Sequence, residues 1–420
     1  MATPFDYADG QLGVDGVSLA DLASEFGTPL YVYHRPTIAA RLAAVREAFG
    51  DYPTRVCYSV KANSNLRLIK WLNAQEVGFD VVSAGELTRA VIAGVPAKQV
   101  VFAGVGKTEA ELQQAVASKL WMITLESVEE AQAVTRLADA MGCSAVPVAL
   151  RINPDVDALT HPHITTGRGM DKFGLIPAEF EDALTWVLEH PEVELVGLHM
   201  HLGSQITDMR PYEQGLTEVV RCANRAQEAG APLKWINAGG GFGISYDGSP
   251  VPTVGDFAAA IVPMIRPTGI ELVLELGRFL VGPAGCLLIT VLYNKPRPDR
   301  QLAIVDGGMT TLLRPALYGA EHRVLPVEEH NGALEPTDVA GPICESTDYL
   351  ARRHPLPRLE SGATLAILDA GAYGMSMVSH YNSHPGPAEV WITEDGVVER
   401  IRRRETIEDL LAIDMEAFEA

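Results

Sequence analysis

Lys61, Asp80, Arg151, His201, Gly239-Gly240-Gly241 and Glu275 lie far apart in a 420-residue chain, yet each stands within or just after a short apolar run. Lys61 follows Val56, Tyr58 and Val60, which place β-branched and aromatic residues at period two, and Ala62-Asn63-Ser64-Asn65 then turns toward a helix. An amine fixed at a strand end and partly desolvated keeps more of its free base, so it can condense with a carbonyl carbon. Taken alone, Lys61 reads more simply as a surface lysine after an edge strand, and His201 or Asp80 as an ordinary core or rim residue. Gly239-Gly240-Gly241-Phe242-Gly243 lacks the final glycine of a dinucleotide fingerprint. Consecutive glycines suit a phosphate nest, where backbone N–H groups converge on an anion, or else a packing turn.

The elements that would position these groups alternate. Strands are expected at Val56–Val60, Phe79–Val82, Val100–Ala103, Met122–Leu125, Val146–Ile152, Leu195–Met200, Leu233–Asn237 and Glu271–Leu274. Helical patterns fall at Ala84–Ala93, Glu109–Ala117, Val128–Met141, Pro177–Glu189, Pro211–Ala229 and Val254–Ile265. Eight such repeats imply a parallel (β/α)8 TIM-type barrel, in which functional groups collect at the C-terminal ends of the strands. Six of the eight expected strands deliver a polar group or glycine to that rim, which weakens the ordinary reading of each one.

Past Gly285 the pattern changes to short β-branched runs broken by Pro, Gly and Asp, at Leu287–Leu292, Leu302–Val305, Thr364–Leu368 and Glu389–Thr393. This half reads as an all-β, sandwich- or barrel-like domain. Leu19–Phe26 reads as a short helix, Pro29–Tyr33 as a strand with no place in the barrel, and Arg35–Phe49 as an amphipathic helix. The expected division is a barrel over 36–280 and a β domain built from 1–35 and 281–420.

The chain is 47% hydrophobic, enough for a large core. Its 33 basic and 54 acidic residues give a net charge of −21, which argues against nucleic acid or an anionic membrane as partner and favours small molecules. Cys57, Cys143, Cys222, Cys286 and Cys344 are odd in number and show no C-x-x-C spacing, as expected of a reduced, cytoplasmic protein. The N-terminus has no basic, apolar signal, and no run of about 18 apolar residues is present.

A lysine on the first strand, a histidine after the sixth, a glycine-rich anion loop after the seventh and a carboxylate on the eighth together suit pyridoxal phosphate. The lysine would hold its aldehyde, the flat histidine would stack on the ring, and the glycines would take the phosphate. The carboxylate would keep the ring nitrogen protonated, which makes the ring an electron sink. The chain also resembles the fold-type III pyridoxal-phosphate decarboxylases, nearest to the branch that converts meso-2,6-diaminopimelate to L-lysine and carbon dioxide. The matching segments are Tyr58-Ser59-Val60-Lys61-Ala62-Asn63, Gly78 to Glu86, His163 to Gly167 with Lys172-Phe173-Gly174, and His199 to Gln205. They continue with Gly239 to Gly241, Glu275-Leu276-Gly277-Arg278, Arg314 to Tyr318, Cys344-Glu345-Ser346 and Gly371 to Gly374.

The resemblance implies a barrel plus a C-terminal β domain, in a head-to-tail homodimer with shared active sites and an amino-acid substrate. Lys61 matches the lysine that carries the cofactor, His201 the stacking histidine and Glu275 the partner of the ring nitrogen. Ser204, Gly241, Gly277 and Tyr373 match phosphate contacts, and Asp80, Arg151, Gly239, Gly240 and Arg278 complete the cofactor-facing set. Arg278, Arg314 and Tyr318, with Tyr373, match the group on the substrate side, where two planar guanidinium forks suit a distal carboxylate. Cys344 and Glu345 match residues that the other subunit contributes, the cysteine near the reacting carbon and the glutamate on the distal amine. One departure is Leu276, where the family usually has proline. A sister decarboxylase of another amino acid or carboxylated amine therefore stands as one alternative, and an inactive pyridoxal-phosphate-binding paralogue, which intact Lys61 and Cys344 count against, as another. Alanine racemases share the architecture, but their usual partner for the ring nitrogen is an arginine.

Overall fold

A computed structural model describes residues 3–157, 166–167 and 171–418 of the chain. They divide into two compact units. One is Leu42–Gly243 with Val251–Phe279, and the other is the chain up to Arg41, Ile244–Pro250 and the chain from Leu280 onward. Against the expected limits of 36 and 280, the first boundary falls inside the helix Arg35–Ala48, and a short excursion after the seventh barrel strand belongs with the β unit.

The first unit is a closed barrel of eight parallel strands: Thr54–Ser59, Gly78–Val81, Val100–Phe102, Met122–Leu125, Val146–Arg151, Val193–His199, Trp235–Asn237 and Glu271–Leu276. The eighth closes on the first through Leu272–Leu276 against Thr54–Tyr58. These strands are apolar on both faces because helices cover the outside and packed side chains fill the inside. Cys57, Val101, Met122, Ala149, Val196 and Val273, all buried, form one such inner cluster. The helices start where small polar residues satisfy their first N–H groups. Asn65, Ser83, Thr108, Ser127 and Thr253 each accept from a backbone N–H in the first turn of the helix they precede. The first of these helices, Leu66–Ala74, had been expected only as a turn toward helix.

The second unit is built on a nine-stranded sheet. Its main path runs Tyr349–Leu356, Glu335–Ala340, Arg300–Val305, Gly285–Arg297, Leu30–His34, Ala388–Ile392, Val398–Arg402, with Thr364–Ile367 and Val324–Pro326 branching from Gly285–Arg297. Leu30–His34 is a central strand, antiparallel to Gly285–Leu288 and parallel to Ala388–Ile392, so the N-terminal segment does take part in the β fold. Two features depart from an all-β expectation: the short helix Arg314–Tyr318 and the C-terminal helix Ile407–Phe418. The latter starts at a reciprocal cap, in which Thr406 N–H donates to Asp409 and Asp409 N–H donates to the Thr406 hydroxyl. Among the described residues no helix is long and apolar enough to cross a membrane.

Beneath the barrel's glycine run lies an aromatic anchor. Phe242 stacks on Phe257 with centroids 3.8 Å apart and meets Tyr212 and Phe279 edge-on at 6.3 Å and 6.1 Å. The ring is 1% exposed, so its loss would leave a buried cavity. Phe242→Ala should therefore cost about 3–5 kcal/mol, seen as a lower urea midpoint for the barrel, and an unchanged midpoint would refute the anchor.

Candidate active site

The strand ends meet at one rim of the barrel. A single 3-10 turn, Val60–Ala62, follows the first strand and carries Lys61, whose Nζ lies 3.2 Å from Oδ2 of Asp80 on the second. Asp80 is fully buried, and its Oδ1 has no hydrogen-bond partner among the described residues. On the eighth strand, buried Glu275 accepts a 2.6 Å hydrogen bond from Asn237 Nδ2 and a 3.1 Å one from His199 Nε2.

The environment drives these two carboxylates apart. Burial and then the charge of Glu275 push Asp80 upward, against the opposing pull of Lys61 and Ser59. Burial also acts to raise Glu275, but His199, Lys61 and Asn237 outweigh it and hold that carboxyl well below the usual glutamate range. Of the two, Glu275 is the one whose surroundings favour the charged form. Glu86, which caps Val82 N–H, is pushed up to about 7, mainly by burial.

His201 presents a neutral ring. Burial first, then the positive charges of Lys61 and Arg151, hold its imidazole well below the ordinary histidine value. Its Nδ1 accepts the Gly240 N–H at 3.3 Å, an in-plane contact that orients the ring. The glycine run is tied to the eighth strand, since Glu275 N–H donates to the Gly239 carbonyl at 2.7 Å and a Cβ on Gly240 would overlap the Glu275 carbonyl oxygen. Gly241, at φ 86°, adopts a backbone that side chains disfavour. Ser204 accepts from Arg278 Nη2 at 3.0 Å, and Gly277 packs on Ser59 and Ala62. The structure thus gathers Lys61, Asp80, His201, Ser204, Gly239, Gly240, Gly241, Glu275, Gly277 and Arg278 at one end of the barrel.

Arg151, at the end of the fifth strand, is held by a buried ion pair. Its Nη1 lies 2.7 Å from Glu126 Oε1, its guanidinium covers the Phe173 ring at 4.7 Å, and Glu126 Oε2 accepts the Gly174 N–H at 2.8 Å. Glu130 caps Glu126 N–H and pairs at 2.9 Å with the fully buried Lys107. The Phe173-Gly174 part of the motif is thereby fastened to the barrel. His163, Ile164 and Thr165 of the same motif lie outside the described residues.

The remaining site residues belong to the β unit. Buried Arg314 lies 4.5 Å over the Tyr246 ring, and its Nη1 is 2.7 Å from His322 Nε2. Tyr318 closes the same short helix. Tyr373 has a left-handed φ of 54°. Cys344 and Glu345 are exposed on a loop where Cys344 N–H donates to Asn382 and Tyr381 hydroxyl donates to Glu345 at 2.6 Å. Buried Asp348 supports that loop by accepting the backbone N–H groups of Met309 and Ile343 at 2.6 Å and 2.7 Å.

The pyridoxal-dependent decarboxylase family model, covering the pyridoxal binding domain, matches residues 35–282. The chain belongs to that family. It is 42% identical to the diaminopimelate decarboxylase of Aquifex aeolicus over 95% of this chain and 94% of that protein, and 40% identical to that of Pseudomonas fluorescens over 97% and 98%. Among solved structures, diaminopimelate decarboxylase from Helicobacter pylori complexed with L-lysine superposes with a TM-score of 0.91 at 36% identity, covering 95% of this chain and 99% of that one. A lysine/ornithine decarboxylase from Vibrio vulnificus shares the fold, with a TM-score of 0.78 at 21% identity over 90% of this chain and 96% of that one.

The decarboxylase takes pyridoxal phosphate as its cofactor, and the barrel rim fits it. An amine, a neutral flat imidazole, a glycine cradle and a buried carboxylate held as an anion stand together, with the Asp80 Oδ1 acceptor unsatisfied nearby. Sequence reasoning had named no role for His199, Asn237, Glu126, Tyr246 or His322. His199 and Asn237 each precede an expected site position by two residues, which in a strand is the same face, so the pattern could have found them. Nothing local to Glu126, Tyr246 or His322 signals a partner far away in sequence.

Glu126→Gln should leave Arg151 buried without its counter-charge and cost about 3–5 kcal/mol. Its carboxyl lies below the ordinary value, because Arg151 and Lys107 outweigh the upward push of burial. The stabilisation is therefore complete above the usual glutamate range and fades as pH falls toward the lowered value. Thermal melts of both proteins should converge on acidification, and melts that stay equally separated would contradict the assignment.

Proposed function

We propose that this decarboxylase acts on meso-2,6-diaminopimelate and releases L-lysine and carbon dioxide. The observation that carries the chemistry is Glu275, buried at 4% exposure yet held as an anion by His199 and Asn237. An anion there would favour a protonated ring nitrogen, and so loss of carbon dioxide over chemistry that needs a neutral ring. When bound, pyridoxal phosphate supplies the electron sink for the carbanion that decarboxylation leaves. Lys61, whose amine Asp80 orients, would hold the cofactor. His201 would bind its ring, and Ser204, Gly239, Gly240, Gly241, Gly277 and Tyr373 would bind its phosphate.

Arg278, Arg314 and Tyr318 receive the substrate's distal carboxylate and Glu345 its distal amine. Full-length similarity to diaminopimelate decarboxylases, one of them complexed with L-lysine, supports that substrate over the sister alternatives. Two copies assemble head to tail in this reading, each lending Cys344 and Glu345 to the other's site. Their exposure on a braced loop of the single chain supports it. Unpaired cysteines throughout the described residues suit the reducing cytoplasm.

Carbon dioxide release from meso-diaminopimelate, ornithine, arginine and lysine, supplied separately, tests the substrate; preference for ornithine would reject it. Lys61→Ala should lose the visible absorption of bound cofactor and nearly all turnover. Arg314→Ala should lower catalytic efficiency on meso-diaminopimelate about a hundredfold, as expected for a desolvated charge-assisted pair, with a smaller effect on lysine. Mixing Lys61→Ala with Cys344→Ala chains should restore activity, since one site of a mixed dimer has both residues intact. Verified mixed dimers without activity would exclude shared sites.

A further inference from the structure

Arg314 can grip a carboxylate only if its guanidinium is held in place, and the group that holds it is a histidine whose protonation state the surroundings dictate. His322 is buried, with Nδ1 2.8 Å from the Leu368 carbonyl oxygen and Nε2 2.7 Å from Arg314 Nη1. A carbonyl oxygen can only accept, so Nδ1 carries the proton. A guanidinium can only donate, so Nε2 presents its lone pair. Only the neutral imidazole with hydrogen on Nδ1 satisfies both contacts. Tyr246 completes the mount, covered by the guanidinium at 4.5 Å and meeting the imidazole edge-on at 4.9 Å.

We propose that His322 is the positioning residue for Arg314, and that protonation of His322 at Nε2 releases Arg314 and weakens the grip on the distal carboxylate. This rests on the reading that Arg314 binds that carboxylate. An added proton on Nε2 would point at the guanidinium N–H, so that a donor faces a donor and a cation a cation. The 2.7 Å contact then has to open.

The charged groups around His322 do not substitute for that contact. Arg314 itself approaches from the short helix, and Tyr246 and Asp247 from the Ile244–Pro250 segment. Beside His322 in sequence stand Glu321, which is exposed, and Arg323, whose Nη2 pairs at 2.8 Å with Asp369 beyond Leu368. From the strand Tyr349–Leu356, His354 is engaged with the Val324 carbonyl at 3.0 Å. A cleft of about 600 Å³ borders Tyr246, His322, Arg323 and His354, so solvent protons reach the assembly.

The experiment compares KM and kcat for meso-diaminopimelate across the acid and neutral range in the wild-type holoenzyme, His322→Gln, His322→Leu and Arg314→Ala. His322→Leu keeps bulk but removes the acceptor, and should raise KM about tenfold with kcat nearly unchanged, the signature of lost uniform binding. His322→Gln offers an amide oxygen at similar reach and cannot titrate. It should keep KM near wild type at neutral pH and lose the rise in KM that wild type shows on acidification. A wild-type KM in His322→Leu, or an unchanged acid limb in His322→Gln, overturns the proposal. If Arg314→Ala raises KM and His322→Leu does not, only the role of His322 fails. If Arg314→Ala also leaves KM unchanged, the clamp reading fails and this inference with it. Should His322→Leu not fold, the 15N spectrum of histidine-labelled wild-type holoenzyme decides: hydrogen on Nδ1 at neutral pH is expected, and hydrogen on Nε2 or an imidazolium overturns the proposal.

Discussion

Two buried carboxylates at one end of a barrel cannot both keep their charge cheaply, and the organisation of this site follows from how that conflict is resolved. Asp80 is given an amine, Lys61, and Glu275 is given two donors, Asn237 and His199. Each donor sits at the end of a different strand, so the parallel barrel is what allows five chain segments to share one electrostatic problem. The glycine run exists in the same frame, because the backbone of Gly240 must pass against the Glu275 carbonyl. Remove the carboxylate's neighbours and a desolvated glutamate would take up a proton, leaving nothing to hold one on a ring nitrogen.

Much of this was legible in the sequence because it is written in short-range pattern. Strand ends could be located from β-branched runs, and Lys61, Asp80, His201 and Glu275 fell on them. The helices between the strands were legible from their helical pattern, whereas the Ser, Thr and Asn residues that cap them were not singled out. What was not legible is of two kinds. Tyr349–Leu356, the edge strand, and Glu335–Ala340 beside it carry Pro355 and Pro336, residues that composition does not associate with strands. The partners of Arg151 and Arg314 are set by tertiary contact alone: Glu126 is 25 residues from Arg151, and Tyr246 lies in a segment whose place in the β unit no local signal announces. The C-terminal helix was missed for a lesser reason, since its cap, Thr406 to Asp409, was open to reading but stood among short strands.

The two arginines differ in how their charge is met. Arg151 is neutralised by a carboxylate, so its position and its charge are both spent within the protein. Arg314 is held at one nitrogen by the His322 ring and at its face by the Tyr246 ring, contacts that fix its direction without themselves supplying a negative charge. A guanidinium that is to bind a ligand's carboxylate needs the second arrangement, whereas one that fastens a loop is served by the first.

The Asp348 carboxylate grips its neighbours through the backbone N–H groups of Met309 and Ile343. Main-chain amides are the same whatever side chain follows them, so the identity of residues 309 and 343 is decoupled from the path of the loop that bears Cys344 and Glu345. Such wiring makes the loop evolvable. Side chains along it can be exchanged to suit a different amino acid while that acid pins its course, and change would cost geometry at Asp348 and at Gly308 and Gly341, which pack against its carboxylate.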